Sequence, residues 1–318
     1  MVKFDDVVLA RRRIRDYIYL TPLELSLSLS SGKTKVFLKL ECQQRLKSFK
    51  IRGALSKVTM LSEEKKSRGI LAVSSGNHGA AVSYAANIFG GIETKVFVPK
   101  GTPESKVKKI SFFGAQVNTV GDSYDETHAI AMEVLRRENQ TYIDPCSDVE
   151  VIAGQGTVAL EILEQHPDID TIVAPIGGGG LITGLGLAAK SIKPGVQIIG
   201  VQTRACPAMV HALRDGVCYA EYASAPSICD AVIGGVGEIP FSMAGECIDN
   251  IIEVDESTVA RAVAQLMKQE KVIAEPSGAL GVAAFMEQPQ LFEGKNAAIV
   301  ISGGNLDGKL MRELIMRE

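Results

Sequence analysis

The chain has 318 residues, 46% apolar and 22% charged, and its 37 acidic and 34 basic side chains leave a formal charge of −3. That length and balance suit a soluble globular protein with a large core and exclude a disordered, collagenous or coiled-coil chain. Charge so evenly dispersed offers no stripe for nucleic acid and no polybasic patch for a membrane, so a small molecule is the expected partner.

The chain begins MVKFDDVVLARRRIRDY, without the apolar core of a signal peptide. Short β-branched runs then alternate with longer amphipathic stretches. Strands are predicted at 36–41, 70–75, 94–99, 116–120, 171–176, 197–202, 250–255 and 297–302. Helices are predicted near 51–66, 77–89, 103–113, 123–138, 151–165, 180–192, 256–270 and 278–287. This alternation predicts an α/β protein built on mostly parallel twisted sheets with helices on both faces. Residues 171–189 carry no charge, yet six of them are glycine and Pro175 interrupts the run, so a strand, a loop and a helix fit better than a membrane span. Six cysteines without CxxC spacing are expected to be reduced, buried thiols in a cytoplasmic chain. His128, His166 and His211 show no metal-ligand spacing. No tether divides the sequence, so any two lobes are interleaved.

Ligands of such folds sit at the carboxyl ends of strands, where loops enter helices. Three loops of this kind carry chemistry. In PIGGGGLITG, Gly177, Gly178, Gly179 and Gly180 remove every Cβ, and the next helix start, from Leu181, offers free N–H groups to an anion such as phosphate. Tight packing alone also accounts for such a run. No Gly-Lys-Ser/Thr follows, so the loop is not a P-loop. In SFKIRGA, Lys50 is either a solvated lysine or, with Ser48, Phe49 and Gly53 around it, an imine-forming nucleophile. In SSGNHGA, Ser74, Ser75, Asn77 and His78 present hydroxyl, amide and imidazole groups at a helix start, suited to a carboxylate or a ring hydroxyl, or else to simple capping. EPSGA, from Glu275, and SGGN, from Ser302, mark two further element boundaries.

Together with LTPL at 20–23 and AGQGT at 153–157, these motifs resemble the fold type II pyridoxal-phosphate enzymes, in particular the serine/threonine dehydratase and serine racemase family. The likeness runs through nearly the whole chain. It implies two lobes, a large one of 1–65 plus 148–318 and a small inserted one of 66–147, with pyridoxal 5'-phosphate in the cleft. It implies that Lys50 forms the imine with the cofactor, that Gly177 to Gly180 with Leu181 hold its phosphate, and that Phe49 packs on the ring. Asn77 would contact the ring hydroxyl, Glu275 would lie beside the cofactor, and Ser302 would face the ring nitrogen. A hydroxyl there does not force that nitrogen to stay protonated, which suits elimination over transamination. Ser74, Ser75, Asn77, His78 and Gln155 would bind the substrate carboxylate. The implied activity is loss of water from a β-hydroxy amino acid such as threonine or serine, giving a 2-oxo acid and ammonia, by a homodimer.

Two departures from the family pattern bear on the reaction. The usual TGSFK reads LKSFK, with Leu46 and Lys47 in place of Thr-Gly. Where cation-binding members carry acidic ligands, this chain has Gln202, Cys206 and Ala208, so no Mg²⁺ or Ca²⁺ site is expected. Ser75, directly before Gly-Asn-His, occupies the place of the second proton-transfer group in the racemases. Serine or aspartate-type racemisation therefore stays an alternative, behind dehydration because the cation ligands are missing. Dehydration of a substituted substrate such as 3-hydroxyaspartate, or of one derived from hydroxyectoine, is another. A non-catalytic sensor on the same scaffold would have no use for an imine-forming lysine.

Overall fold

The computed structural model describes residues 1–316. The chain opens with α1 (Phe4–Ile14), β1 (Leu23–Leu25), β2 (Lys35–Lys39), α2 (Lys50–Thr59) and α3 (Glu63–Ser67). Next come β3 (Ile70–Val73), α4 (Asn77–Ile88), β4 (Thr94–Val98), α5 (Glu104–Ser111), β5 (Gln116–Thr119), α6 (Tyr124–Glu138) and β6 (Thr141–Tyr142). The remainder runs α7 (Val149–Gln165), β7 (Thr171–Pro175), α8 (Gly180–Ile192), β8 (Gln197–Thr203), α9 (Ala208–Asp215), α10 (Glu238–Cys247), β9 (Asn250–Val254), α11 (Glu256–Gln265), α12 (Pro276–Glu287), β10 (Asn296–Val300) and α13 (Gly308–Ile315).

The strands form two sheets, one of six in the order β1-β2-β10-β7-β8-β9 and one of four in the order β5-β4-β3-β6. All pairs are parallel except the edge pair β1 with β2. Successive side chains of a strand point to opposite faces, and in the larger sheet both faces are covered. Ile172 and Ala174 of β7 and Ala298 and Val300 of β10 join the apolar cluster of α1, α7, α8 and α10. Their neighbours Val173, Ala297 and Ile299 join the cluster of α11 and α12. This explains why those strands are apolar throughout instead of alternating. The smaller sheet does the same, Ile70 and Ala72 facing one cluster and Leu71 and Val73 another. Residues 171–189 make β7, the glycine loop and most of α8, and no helix among the described residues is long and apolar enough to cross a membrane.

All eight predicted strands and most predicted helices are present. The helix expected over 51–66 is two, α2 and α3, because Ser62 leaves the helical region and caps α3 by accepting from the Lys65 amide. The helix expected over 256–270 ends its regular part at Gln265 and closes with a π-helical turn over Leu266–Glu270. Helices α1, α9, α10 and α13 and strands β1 and β6 lie outside the expected set. α9 shows why: the Gln202 side chain of β8 accepts from the amides of Met209 and Val210, so its cap is supplied from outside the segment.

Candidate active site

The turn before α2 is pinned to the segment that leaves β10. The Phe49 amide donates to the Ser302 carbonyl at 3.1 Å, the Gly304 amide donates to the Lys47 carbonyl at 2.8 Å, and Ser48 bridges Gly303. Phe49, Lys50 and buried Ser302 are thereby held side by side. Lys47 sits at φ +62°, in the left-handed region that the family pattern fills with glycine, so the loop keeps its shape with a lysine there. A residue with a Cβ at such a φ costs about 1 kcal/mol.

Lys50 is the first residue of α2, and its Nζ donates to the Pro145 carbonyl at 3.1 Å and lies 5.2 Å from the centre of the Phe49 ring. Burial pushes its pKa down, opposed by the charges of Cys146 and Asp144. An amine so placed reaches its nucleophilic, proton-accepting form more readily than a surface lysine.

Asn77 is the first residue of α4, at the end of the loop that leaves β3. Its Nδ2 donates to Glu275 Oε1 at 2.8 Å, and its Oδ1 accepts from Asn305. Glu275 is buried at the start of α12, and its carboxyl is pushed up to about 7 by burial first and the Asp230 charge second, with the Asn77 bond opposing. Gly303 must be glycine, since a Cβ there would lie 2.1 Å from Glu275 Oε1. Ser74 Oγ accepts from the Gly76 amide at 3.2 Å, and Ser75 is half-buried beside it. Buried His78 shares its Nε2 with the Ile143 carbonyl at 2.8 Å while Nδ1 has no partner. Burial and the Lys50 charge lower its pKa to about 4, so the ring is neutral at neutral pH. Gln155 is buried in α7 against Gly53, one turn beyond Lys50, and both ends of its amide lack a partner.

The glycine loop joins β7 to α8, with Gly179 at φ +92°. The protein itself accounts for the absence of side chains. A Cβ on Gly178 would lie 2.4 Å from Cys146 Sγ, one on Gly179 2.5 Å from Pro240 Cβ, and one on Gly180 2.9 Å from Cys146 Cα. Tight packing is thus real, and so is the cradle: among the described residues the amides of Gly177 to Ile182 find no acceptor. Leu181 buries its side chain in the core, leaving only its main chain to the loop.

One segment ties these parts together. Pro145 accepts from Lys50 while its neighbour Cys146 packs on Gly178 and Gly180, and Asp144 holds the turn by accepting from the amides of Cys146 at 2.8 Å and Ser147 at 2.6 Å. Sequence reasoning missed Asp144, Cys146, Lys109, Asn305 and Asp230. Asp144 left a local trace, an acidic residue opening a turn, and Asn305 lies in the SGGN motif, where only Ser302 was given a role. All six thiols are free, four buried and Cys146 and Cys218 half-buried. Burial is the first cause pushing every one of them up, Cys42 and Cys146 to about 12. Among the described residues no group of three His, Cys, Asp or Glu could hold a metal ion.

The site thus combines a half-buried lysine, unpartnered amides at a helix start and a buried serine, Ser302, whose carbonyl is bonded to the lysine turn. Residues 14–303 match the family model described as pyridoxal-phosphate dependent enzyme. The L-threonine ammonia-lyase of Thermotoga maritima is 40% identical over 318 residues, covering 99% of this chain and 78% of that protein. The serine racemase of Arabidopsis thaliana is 38% identical over 307 residues, 94% of this chain and 91% of that protein. Among solved structures, threonine deaminase isoform 2 of Solanum lycopersicum superposes with a TM-score of 0.92 at 30% identity, over 98% of this chain and 92% of that one.

The fold and site define a fold type II enzyme of amino-acid chemistry. The chain belongs to the pyridoxal-phosphate dependent enzyme family. Its residues fit that cofactor: the unpartnered amides of the glycine loop suit a phosphate, and Lys50 suits an imine with its aldehyde.

Proposed function

We propose that the protein is a pyridoxal-phosphate dependent ammonia-lyase that removes water from a β-hydroxy amino acid, L-threonine first and L-serine second, giving a 2-oxo acid and ammonia. The observation that carries the reading is Lys50, a half-buried amine whose pKa burial lowers, next to the turn pinned to Ser302 and bonded to the Pro145 carbonyl, whose neighbour Cys146 packs on the glycine loop. The ammonia-lyase and deaminase likenesses favour elimination.

Bound pyridoxal phosphate supplies the electron sink that acidifies the substrate Cα–H. The free amine of Lys50 takes that proton as general base and, as an ammonium, can return it to the departing oxygen, so that the Cβ–O bond breaks and the hydroxyl leaves as water; hydrolysis of the released enamine then takes up one water and gives the 2-oxo acid and ammonia. Asn77 would orient the ring, with Glu275 holding its amide. Ser302 would meet the ring nitrogen without a negative charge. The hydroxyls of Ser74 and Ser75, with His78 and Gln155, hold the substrate end of the cleft. His78, neutral and with Nε2 turned to Ile143, presents an acceptor at Nδ1. The two sheets would belong to two lobes, 66–147 set within 1–65 plus 148–318. A homodimer in the cytoplasm completes the reading, in keeping with the family likeness and the six unpaired thiols.

Racemisation is the second reading, supported by half-buried Ser75 and the racemase relative. The test is incubation of cofactor-loaded protein with L-threonine, L-serine, D-serine and 3-hydroxyaspartate, following 2-oxo acid and substrate enantiomer together. Oxo acid from L-threonine without inversion is expected. Inversion faster than elimination, abolished by Ser75→Ala, would make the protein a racemase.

A further inference from the structure

We infer that Lys109 is a positioning residue that, through Asn305, sets the orientation of the Asn77 side-chain amide in the cofactor site. Lys109 belongs to α5, beside the four-stranded sheet, and its Nζ reaches over to the Leu46 carbonyl at 3.3 Å and to Asn305 Oδ1. An ammonium only donates, so Asn305 must turn its oxygen to Lys109 and its NH2 group away. That NH2 group donates to the Leu46 carbonyl at 3.0 Å and to Asn77 Oδ1. Asn77 is then left with one arrangement, oxygen toward Asn305 and NH2 toward Glu275 Oε1 at 2.8 Å. Two amides in series take their polarity from the Lys109 cation, seconded by the Leu46 carbonyl, which only accepts.

Glu275 at the far end cannot impose this order alone. Its carboxyl is half-protonated near neutral pH, and a protonated carboxyl both donates and accepts. Without Lys109, only the bond from Asn305 to the Leu46 carbonyl and a half-protonated carboxyl hold that order, so the pair of amides flips more readily and presents an oxygen where the ring needs an N–H. Lys108, one residue earlier, lines the same basic cavity of about 470 Å³ with Arg45 and Lys47 but pairs with Glu104 at 2.7 Å instead. It supplies equal charge without the relay.

The inference rests on the proposal that Asn77 faces the cofactor ring, and its test separates the two. Absorption spectra of the cofactor-loaded protein are recorded across pH for Asn77→Ala, Lys109→Met, Lys109→Arg, Asn305→Ala and Lys108→Met, with melting temperatures as a check on folding. Asn77→Ala should move the absorption maximum. Lys109→Met and Asn305→Ala should move it in the same direction and lower kcat/KM about tenfold, with Lys109→Arg recovering most of the loss and Lys108→Met matching the parent. Should Lys109→Met fail to fold, Asn305→Ala reads the same relay from its other end. The relay is overturned if Asn77→Ala shifts the spectrum while Lys109→Met and Asn305→Ala do not, or if Lys108→Met shifts it equally. A spectrum unmoved by Asn77→Ala overturns both the relay and the ring-facing role of Asn77.

Discussion

Glu275 shows how one residue couples burial to chemistry. Its native carboxyl keeps a proton up to about pH 7, whereas the unfolded chain loses it near the ordinary value of 4.5. Unfolding therefore releases a proton between those limits, so this group's contribution to stability falls as pH rises through that window. The loss should reach about 3 kcal/mol above pH 7. Denaturant unfolding of parent and Glu275→Gln at pH 4.5 and 7.5 measures it: the parent should lose that much more than the variant, and equal pH dependence would refute it. The EPSG motif singled out Glu275 in the sequence, but its raised pKa was not legible there. Burial and the Asp230 charge both come from chain packing that no local pattern encodes. Lys47 makes the converse point, since a lysine at φ +62° reads in sequence as a lost glycine although the turn survives.

Among the elements, the glycine loop was the most legible feature, because a glycine run after a buried strand has few physical explanations. The reason Gly178 and Gly180 are needed came only from their partner, the 143–147 segment, whose Cys146 fills the space a side chain would take, while Pro240 fills it at Gly179. Gly178→Ala would bring a Cβ to 2.4 Å from Cys146 Sγ, and such overpacking costs about 1–3 kcal/mol. Titration with pyridoxal phosphate should show affinity reduced about tenfold in Gly178→Ala and largely recovered in Gly178→Ala with Cys146→Ala. No recovery would mean that the loop fails for a reason other than this contact. Strands such as β3, β7 and β10 were read correctly because both faces of each are buried. Helix α9 escaped because a side chain of the preceding strand, Gln202, caps it from outside its own segment.

At the scale of the molecule, a buried ionic cluster ties α2 to the rest of the larger sheet. Arg52 donates to Glu41 at 2.7 and 2.8 Å, to Glu161 at 2.6 and 2.9 Å and to Thr157 at 3.1 Å. Fully buried Lys39 donates to Glu161 at 2.7 Å. Burial works against the charge on Glu161, yet Arg52 and Lys39 keep its pKa below the usual carboxylate range. Two cations and two anions cancel, but removing one partner leaves a buried charge uncompensated, at about 3–5 kcal/mol. Arg52→Met should lower stability by that amount in denaturant unfolding, and a loss under 1 kcal/mol would show the cluster to be dispensable. Because Lys50 and Arg52 share the first turn of α2, the cluster also fixes the helix that carries the amine. The central claim is that this amine, and no other, holds the cofactor. Borohydride reduction of the cofactor-loaded protein, followed by peptide mass spectrometry, tests it most directly. Stable pyridoxyl modification at Lys50, absent in Lys50→Ala, is the result the structure predicts; modification of another lysine, or linkage persisting in Lys50→Ala, would contradict it.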